Sequence, residues 1–216
     1  MIPMDNVTTT DRNPKNNERG FMLWLTGVPA SGKSTIAKAL EGELRARGVR
    51  LHNFDGDEWR AIMTPDLGYD KKARDQNLHR IAYVGSLLTR NGVHAIVAAV
   101  SPDREFRDRA RAMNPEFLEV WVKATFETVK TRDPKGLYKK GAEGKVNDIP
   151  GWHVPFEEPQ RPELVLDTDS LSVGECVAAL LAVLEKRRWI PPAFDVSYSP
   201  EEEAQIKARL ERLGYL

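Results

Sequence analysis

The sequence has a single cysteine, Cys176, so the chain can form no internal disulfide and no cysteine-based metal site. It has no excess charge of either sign, since 32 acidic residues balance 32 basic ones, and this balance gives no indication of general nucleic-acid binding. No apolar run is long enough to span a membrane, and the first residues lack the pattern of a signal peptide. These absences favour a cytoplasmic protein without membrane or nucleic-acid partners.

The rest of the composition is ordinary for a globular protein. Hydrophobic residues make up 41% and charged residues 30% of the 216 residues, and a chain of this length can bury a large core in one domain. Residues 1–19 are polar and predict a mobile tail. Residues 20–186 are expected to form the main domain, and Cys176 lies there in an apolar helical pattern typical of a core position. Residues 187–216 form an extension in which Ser199 to Glu202 resembles the start of a short helix.

The strongest motif is a phosphate-binding loop, Gly27-Val-Pro-Ala-Ser-Gly-Lys-Ser34. An apolar run from Phe21 to Leu25 predicts a buried strand before the loop, and apolar residues at spacings of three and four predict a helix after it. This context favours a phosphate site over a glycine-rich turn with a surface lysine. Lys33 would reach the β- and γ-phosphates, and the Ser34 hydroxyl would bind Mg²⁺. The expected ATP-binding residues here are Gly27, Val28, Pro29, Ala30, Ser31, Gly32, Lys33, Ser34 and Thr35.

Two carboxylates, Asp55 and Asp57, follow the second predicted strand, Val49 to Phe54. Ligands of open α/β sheets bind at the carboxyl ends of the strands. These acids could therefore hold a Mg²⁺-bound water or take a proton from an acceptor hydroxyl. An Asp-Gly turn with helix-capping acids explains the same residues equally well.

Strands and helices are expected to alternate along the whole domain. Strands are predicted at 93–100, 117–122 and 164–166, and helices at 71–89, 103–111 and 173–186. The strand at 93–100 is almost wholly apolar, which is typical of a central parallel strand covered on both sides. The alternation predicts an α/β fold of the P-loop NTPase type, with a central mainly parallel sheet and helices on both faces, in three layers.

Charged residues in three segments bear on the chemistry. Arg74 and Asn77 share a helical stripe with apolar residues, which is typical of a helix whose first turns line a cleft, although a solvated face also explains Arg74. The arginines of 103–111 are expected to be mostly solvated. A long, irregular segment at about 133–162 has lysines at its entry and many glycines and prolines, and it predicts a lid that closes over phosphates.

Together these residues resemble the adenylylsulfate kinase (APS kinase) family, which makes 3′-phosphoadenylyl sulfate. The resemblance covers about residues 20–184, and its Lys-Gly-Leu-Tyr-Lys-Lys block is close to diagnostic. The matching blocks are Trp24-Leu-Thr-Gly, the phosphate loop, Asp55-Gly-Asp57 with Arg60, Asp66-Leu-Gly68, Arg74-Asp-Gln-Asn77 with Arg80, Arg90-Asn-Gly92, Ala98-Ala-Val-Ser101-Pro102, Asp133-Pro-Lys-Gly-Leu-Tyr-Lys-Lys140, and Pro162-Glu-Leu with Asp167-Thr-Asp169.

The resemblance implies ATP as co-substrate, Mg²⁺ as cofactor and a role for each matching residue. Asp57, with Asp55 nearby, would orient or deprotonate the acceptor's 3′-hydroxyl and anchor Mg²⁺ through water. Lys135 and Lys139 would act from the lid, and Arg132 would lie against the adenine of ATP. APS kinases are commonly dimers, so a homodimer is implied as well. The acceptor nucleotide would be held by Arg60, Tyr69, Arg74, Asn77, Val100 and Ser101, with help from Lys135.

Two departures from the family pattern concern the acceptor. The family usually has Asn after Asp-Gly-Asp, where this chain has Glu58 followed by Trp59. The family's lid also carries a Phe that stacks on the acceptor adenine, and the corresponding stretch here is Asp148-Ile-Pro-Gly-Trp-His153. Stacking on a base is worth ~1–3 kcal/mol, so APS would bind about ten- to a hundredfold more weakly unless Trp152 substitutes.

The leading hypothesis is therefore an ATP- and Mg²⁺-dependent kinase that phosphorylates the 3′-hydroxyl of APS by in-line transfer. The alternative is the same chemistry on another nucleotide-linked acceptor, such as cytidine diphosphoramidate, whose kinase is similar to APS kinases. A third hypothesis is a nucleotide-regulated binding module attached to a partner through residues 187–216. It is less favoured because the phosphate loop, the carboxylates and the lid lysines are all present.

Overall fold

The computed structural model describes residues 19–192 and a C-terminal helix at 200–212. Residues 1–18 of the predicted tail and the predicted cap of the C-terminal helix lie outside the described residues. None of the described helices has the length and apolar character needed to cross a membrane.

Five parallel strands form a single sheet in the order β2-β3-β1-β4-β5. Leu23 of the first strand pairs with Ile96 on one side and with Leu118 on the other, so this strand is central and all its residues are buried. The parallel sheet predicted from the alternating pattern is thus confirmed. The strands are β1 Met22–Thr26, β2 Leu51–Asp55, β3 His94–Ala98, β4 Phe117–Lys123 and β5 Leu164–Asp167.

Four of the helices, α2, α3, α5 and α7 in chain order, begin where a short polar side chain caps their first N–H groups. Asp70, Thr125 and Ser172 each accept a hydrogen bond from a backbone N–H of the following turn, and Ser172 forms a reciprocal capping box with Glu175. The helices are α1 Lys33–Ala46, α2 Gly56–Met63, α3 Lys71–Arg90, α4 Arg104–Met113, α5 Phe126–Arg132, α6 Leu137–Ala142, α7 Val173–Lys186 and α8 Pro200–Arg212.

Two apolar clusters, one on each face of the sheet, form the core. Residues of α1 and α7 pack on one face, and Cys176 is completely buried there, as its helical pattern predicts. Residues of α3 and α4 pack on the other face around Trp24. Helices on both sides of the sheet confirm the three-layer α/β fold. After α7, Trp189 stacks on Phe21 with ring centroids 5.4 Å apart.

Strand β3 ends earlier than its apolar run predicts. Ala98 is its last residue, and Ser101 has a φ of 39°, which is incompatible with a continuing strand. The Trp24 indole N–H donates to the Ser101 hydroxyl over 2.8 Å. The chain therefore turns away from the sheet at this point, and residues 99–102 line the cavity described next.

Candidate active site

A cavity of about 990 Å³ lies at the carboxyl ends of β1, β2 and β3. The phosphate loop and the start of α1 form one wall, and the start of α2, part of α3 and the turn after β3 form another. Residues of the 133–162 segment complete it. This is the edge at which a parallel α/β sheet binds its ligands, and most of the residues singled out in the sequence meet there.

The phosphate loop packs too tightly for side chains at its first glycine. A Cβ on Gly27 would lie 2.3 Å from the Val122 carbonyl oxygen, and the φ of this residue is 156°. Gly32 has a φ of 103° immediately before α1. Ser34 and Thr35 follow in the first turn of that helix, where both are exposed and line the cavity. The loop and helix thus present free N–H groups and a hydroxyl at one place.

Lys33 is almost completely buried and bonds to its own loop. Its Nζ donates to the Gly27 carbonyl over 2.9 Å and to the Val28 carbonyl over 2.8 Å, and the Ser31 hydroxyl lies 3.4 Å away. The pKa of this ammonium group is lowered to about 7, mainly by burial and also by the positive charge of Lys135, while Asp55 opposes the shift. An anion placed beside this lysine would favour the charged form.

Asp55 ends β2 and caps α2. Its carboxylate accepts hydrogen bonds from the N–H groups of Asp57 over 3.0 Å and of Glu58 over 3.4 Å. The helix-capping interpretation of this acid is therefore correct, yet its side chain also borders the cavity. Asp57 stands in the first turn of α2 with a largely exposed carboxylate that forms an ion pair with Lys135. The acid and the lysine expected to act in catalysis are thus in direct contact at the cavity, which both of them line.

Along the wall formed by α2, α3 and the turn after β3, several polar side chains are held by the segments around them. The Arg60 guanidinium carbon lies 4.3 Å from the centre of the Tyr69 ring, and one of its N–H groups donates to the Gly68 carbonyl over 2.8 Å. Asn77 accepts a hydrogen bond from the Thr64 hydroxyl over 2.7 Å. These three predicted acceptor residues, together with Val100 and Ser101, all line the cavity.

Arg74 connects α3 to the 133–162 segment. Its guanidinium donates to the Asp148 carbonyl over 2.6 Å and to the Asp148 carboxylate over 2.9 Å. Arg132 is held in a similar way, because it donates to the hydroxyl and the carbonyl of Thr168 over 2.9 and 2.6 Å. Both arginines therefore have fixed positions at the edge of the cavity.

The 133–162 segment is more ordered than its composition predicts, since it contains helix α6. The Tyr138 hydroxyl of that helix donates to the Pro29 carbonyl of the phosphate loop over 3.0 Å, and burial raises its pKa to about 12. Ile149, only 1% exposed, packs with Tyr138 and Val129 in a third, smaller apolar cluster and also lines the cavity. The segment thus closes directly over the phosphate loop.

Five residues expected at the site are not among those that line the cavity: Gly27, Val28 and Ser31 of the phosphate loop, Trp152 and Lys139. The Trp152 ring instead stacks on His153, with centroids 4.2 Å apart, and packs near Tyr138 and Phe126. The structure therefore does not bring Trp152 together with the acceptor residues. Lys139 is also absent from the lining, where Lys140 is present.

Sequence reasoning assigned no role to Tyr138, Asp148 or Thr168, although each contacts a predicted site residue. Tyr138 and Thr168 fall inside blocks that carried the family resemblance. Their position in those blocks indicated that they belong to the site, but a sequence pattern does not predict which residue each side chain contacts.

The site combines a glycine loop ahead of a helix, a buried lysine and nearby acids, all at the carboxyl edge of a parallel sheet. This arrangement is typical of P-loop kinases, a class of enzymes that includes those that transfer a phosphoryl group to an alcohol. Residues 19–167 match the family model described as Adenylylsulphate kinase. The chain belongs to the adenylylsulphate kinase family.

Curated relatives and solved structures agree with this assignment. The chain is 41% identical over 186 residues to a probable adenylyl-sulfate kinase of Halalkalibacterium halodurans, covering 85% of this chain and 89% of that one. It is 42% identical over 172 residues to a probable bifunctional SAT/APS kinase of Sorangium cellulosum, of which it covers only 30%. An APS kinase structure from Mycobacterium tuberculosis, in complex with AMPPNP and APS, superposes with a TM-score of 0.75 at 34% identity, over 77% of this chain and 98% of that one.

Proposed function

We propose that this protein transfers the γ-phosphoryl group of ATP to the 3′-hydroxyl of adenylyl sulfate. The observation that supports it best is the meeting of Asp57 and Lys135 in a cavity that the phosphate loop also lines. In this proposal Asp57 is the general base and Lys135 supplies positive charge, and both lie between the phosphate loop and the cavity-lining arginines Arg60 and Arg74, which would bind the acceptor. The product would be 3′-phosphoadenylyl sulfate, made in sulfate assimilation.

In this mechanism the side chains position the reactants and stabilise charge. Asp57 would accept a hydrogen bond from the acceptor's 3′-hydroxyl and take its proton as the phosphoryl group transfers. For this, the carboxylate has to exchange its Lys135 partner for the substrate. Lys33 and Lys135 would then lie against the phosphate oxygens, where their charges stabilise the developing negative charge. Arg132 would lie against the adenine of ATP, on the side of the cavity near Thr168.

Mg²⁺ fits the donors that are present. No group of three or more acidic, histidine or cysteine side chains that could hold a metal occurs within the described residues. A magnesium ion in a kinase needs few protein ligands, because waters and substrate phosphates complete its coordination. The Ser34 hydroxyl would bind it directly and the Asp57 carboxylate through water. When bound, it would neutralise charge on the β- and γ-phosphates.

The test is ADP release from Mg-ATP by the purified protein, with and without micromolar APS. Strong stimulation by APS is expected, and Lys33→Ala should abolish it because the variant lacks the cation of the phosphate loop. Protein that binds ATP but shows no stimulation by APS would contradict the proposal and direct the search to other nucleotide-linked acceptors. Near-normal turnover by Lys33→Ala would contradict the mechanism.

The homodimer implied by the family resemblance is also part of the proposal. Sedimentation velocity of the purified chain checks it, with a dimer of the 24.4 kDa chain as the expected species. A monomer at the concentrations used in the kinetic assays would contradict it.

A further inference from the structure

Arg107 of α4 is only 1% exposed, although the arginines of this helix were expected to be mostly solvated. All three nitrogen positions of its guanidinium group are used. Nε donates to the Glu119 carboxylate over 2.7 Å, Nη1 to the Ser101 carbonyl over 2.6 Å, and Nη2 to the Glu157 carbonyl over 2.6 Å. The mechanism above does not use this residue.

We propose that Arg107 is a positioning residue that joins the acceptor wall at Ser101 to the end of the 133–162 segment, and thereby sets the affinity for the acceptor. The inference rests on the proposed function, since it assigns part of the affinity for APS to a side chain that does not line the cavity.

The acceptor wall needs such support because its backbone is strained. Ser101 has a φ of 39°, a conformation that residues other than glycine rarely adopt. The Trp24 indole N–H donates a hydrogen bond to the Ser101 hydroxyl, and the Thr26 hydroxyl donates to the neighbouring Val100 carbonyl over 2.8 Å. Within residues 19–192, the one other donor to the Ser101 carbonyl is the Thr26 hydroxyl, at a long 3.5 Å. Arg107 therefore supplies its main hydrogen bond in a buried setting.

The other end of the connection is Glu157, near the end of the 133–162 segment. Its N–H donates to the Pro102 carbonyl over 2.8 Å, and its carboxylate accepts from the Arg104 N–H over 2.8 Å. With the Arg107 bond to its carbonyl, Glu157 has three hydrogen bonds to residues 102–107. A shift of this part of the segment would therefore be transmitted to the acceptor wall.

Only arginine can make this connection, and the helix offers a matched control. A planar guanidinium reaches three acceptors in fixed directions, whereas the single nitrogen of lysine cannot satisfy all three in the same geometry. Arg111 lies one turn further along α4. It binds the other Glu119 oxygen at 3.2 Å and the Glu163 carboxylate, but makes no hydrogen bond to Ser101 or Glu157 among the described contacts. Arg111→Lys thus perturbs the same ionic network without touching the acceptor wall.

The experiment compares steady-state kinetics of Arg107→Lys, Arg111→Lys and the wild type. Arg107→Lys should raise the KM for APS about tenfold, the effect of one lost charge-assisted hydrogen bond, and leave the KM for ATP within about twofold. Arg111→Lys should change neither KM. A folded Arg107→Lys with an unchanged KM for APS, or an equal rise in Arg111→Lys, would overturn the inference.

Thermal melting shows whether each variant is folded. If Arg107→Lys does not melt cooperatively, Glu119→Gln takes its place, since it removes the charge that orients Nε. It should give a smaller rise in the KM for APS with the KM for ATP unchanged, and an unchanged KM for APS would again overturn the inference. A wild type without APS-stimulated ADP release refutes the proposed function itself, and the inference fails with it.

Discussion

Binding of Mg-ATP should be accompanied by proton uptake at Lys33. In the structure this lysine is buried against carbonyl oxygens of its own loop, and its pKa is lowered to about 7, mainly by burial. Phosphate oxygens placed beside it would stabilise the ammonium form and raise its pKa back toward the ordinary value of a lysine. At a pH above 7, the lysine therefore has to take up a proton when the nucleotide binds.

The magnitude follows from the pKa of about 7. At pH 8 roughly a tenth of the free protein carries the proton, so complete protonation in the complex takes up about 0.9 proton. At pH 6 the free lysine is already about nine-tenths protonated, and uptake falls to about 0.1. By the same linkage, the Kd for Mg-ATP should rise by up to about tenfold for each pH unit above 7.

Isothermal titration calorimetry in two buffers of different ionisation enthalpy, at pH 6 and pH 8, measures this uptake directly. Lys33→Arg is the matched control, because arginine keeps its charge throughout this range and should show almost no uptake. A wild-type uptake below about 0.2 proton at pH 8, or an equal uptake in the arginine variant, would refute the reasoning.

Three further substitutions test other parts of the site. By the family resemblance, Ile149 stands where the lid Phe of APS kinases stacks on the acceptor adenine. Ile149→Phe restores a ring there and should lower the KM for APS about tenfold through stacking worth ~1–3 kcal/mol. An unchanged or higher KM in steady-state assays would contradict a base-binding role for this position. Asp57→Asn keeps the shape of the side chain but removes the base, so kcat should fall by about 10²–10⁴ while Mg-ATP still binds, and a kcat within a factor of about ten of the wild type would exclude this role. Tyr138→Phe removes the hydrogen bond to Pro29, and urea denaturation should show a loss of about 1 kcal/mol in the free energy of unfolding; no loss would mean that the bond contributes nothing.

The fold could be predicted because its signals are local. The apolar strand before Gly27, the glycine spacing of the loop and the helical periodicity after Lys33 are all properties of adjacent residues, and the structure has a strand, a loop and a helix there. The apolar run around Ile96 in the same way predicted a central strand. Residues at the carboxyl ends of parallel strands must meet at one edge, so the location of the site followed from the same pattern.

Positions of individual side chains could not be predicted in this way. The pattern of α4 is that of a solvated basic helix, yet Arg107 is buried, because its three acceptors come from Ser101, Glu119 and Glu157, which are far apart in sequence. Trp152 looked suited to the acceptor site by its closeness in sequence to Ile149. In the structure its ring packs on His153 and Tyr138 instead.

The sequence by itself determined the order of the five strands and of the helices that pack on the sheet, the phosphate loop and the family, because these depend on residue types at short and regular spacings. It did not predict the short helices α5 and α6. The tertiary structure alone decided which charges are paired. It placed Lys135 against Asp57 and Asp148 against Arg74, and it turned Lys33 onto its own loop. Such pairings depend on distances in space between segments of the chain, and neither composition nor spacing encodes those distances.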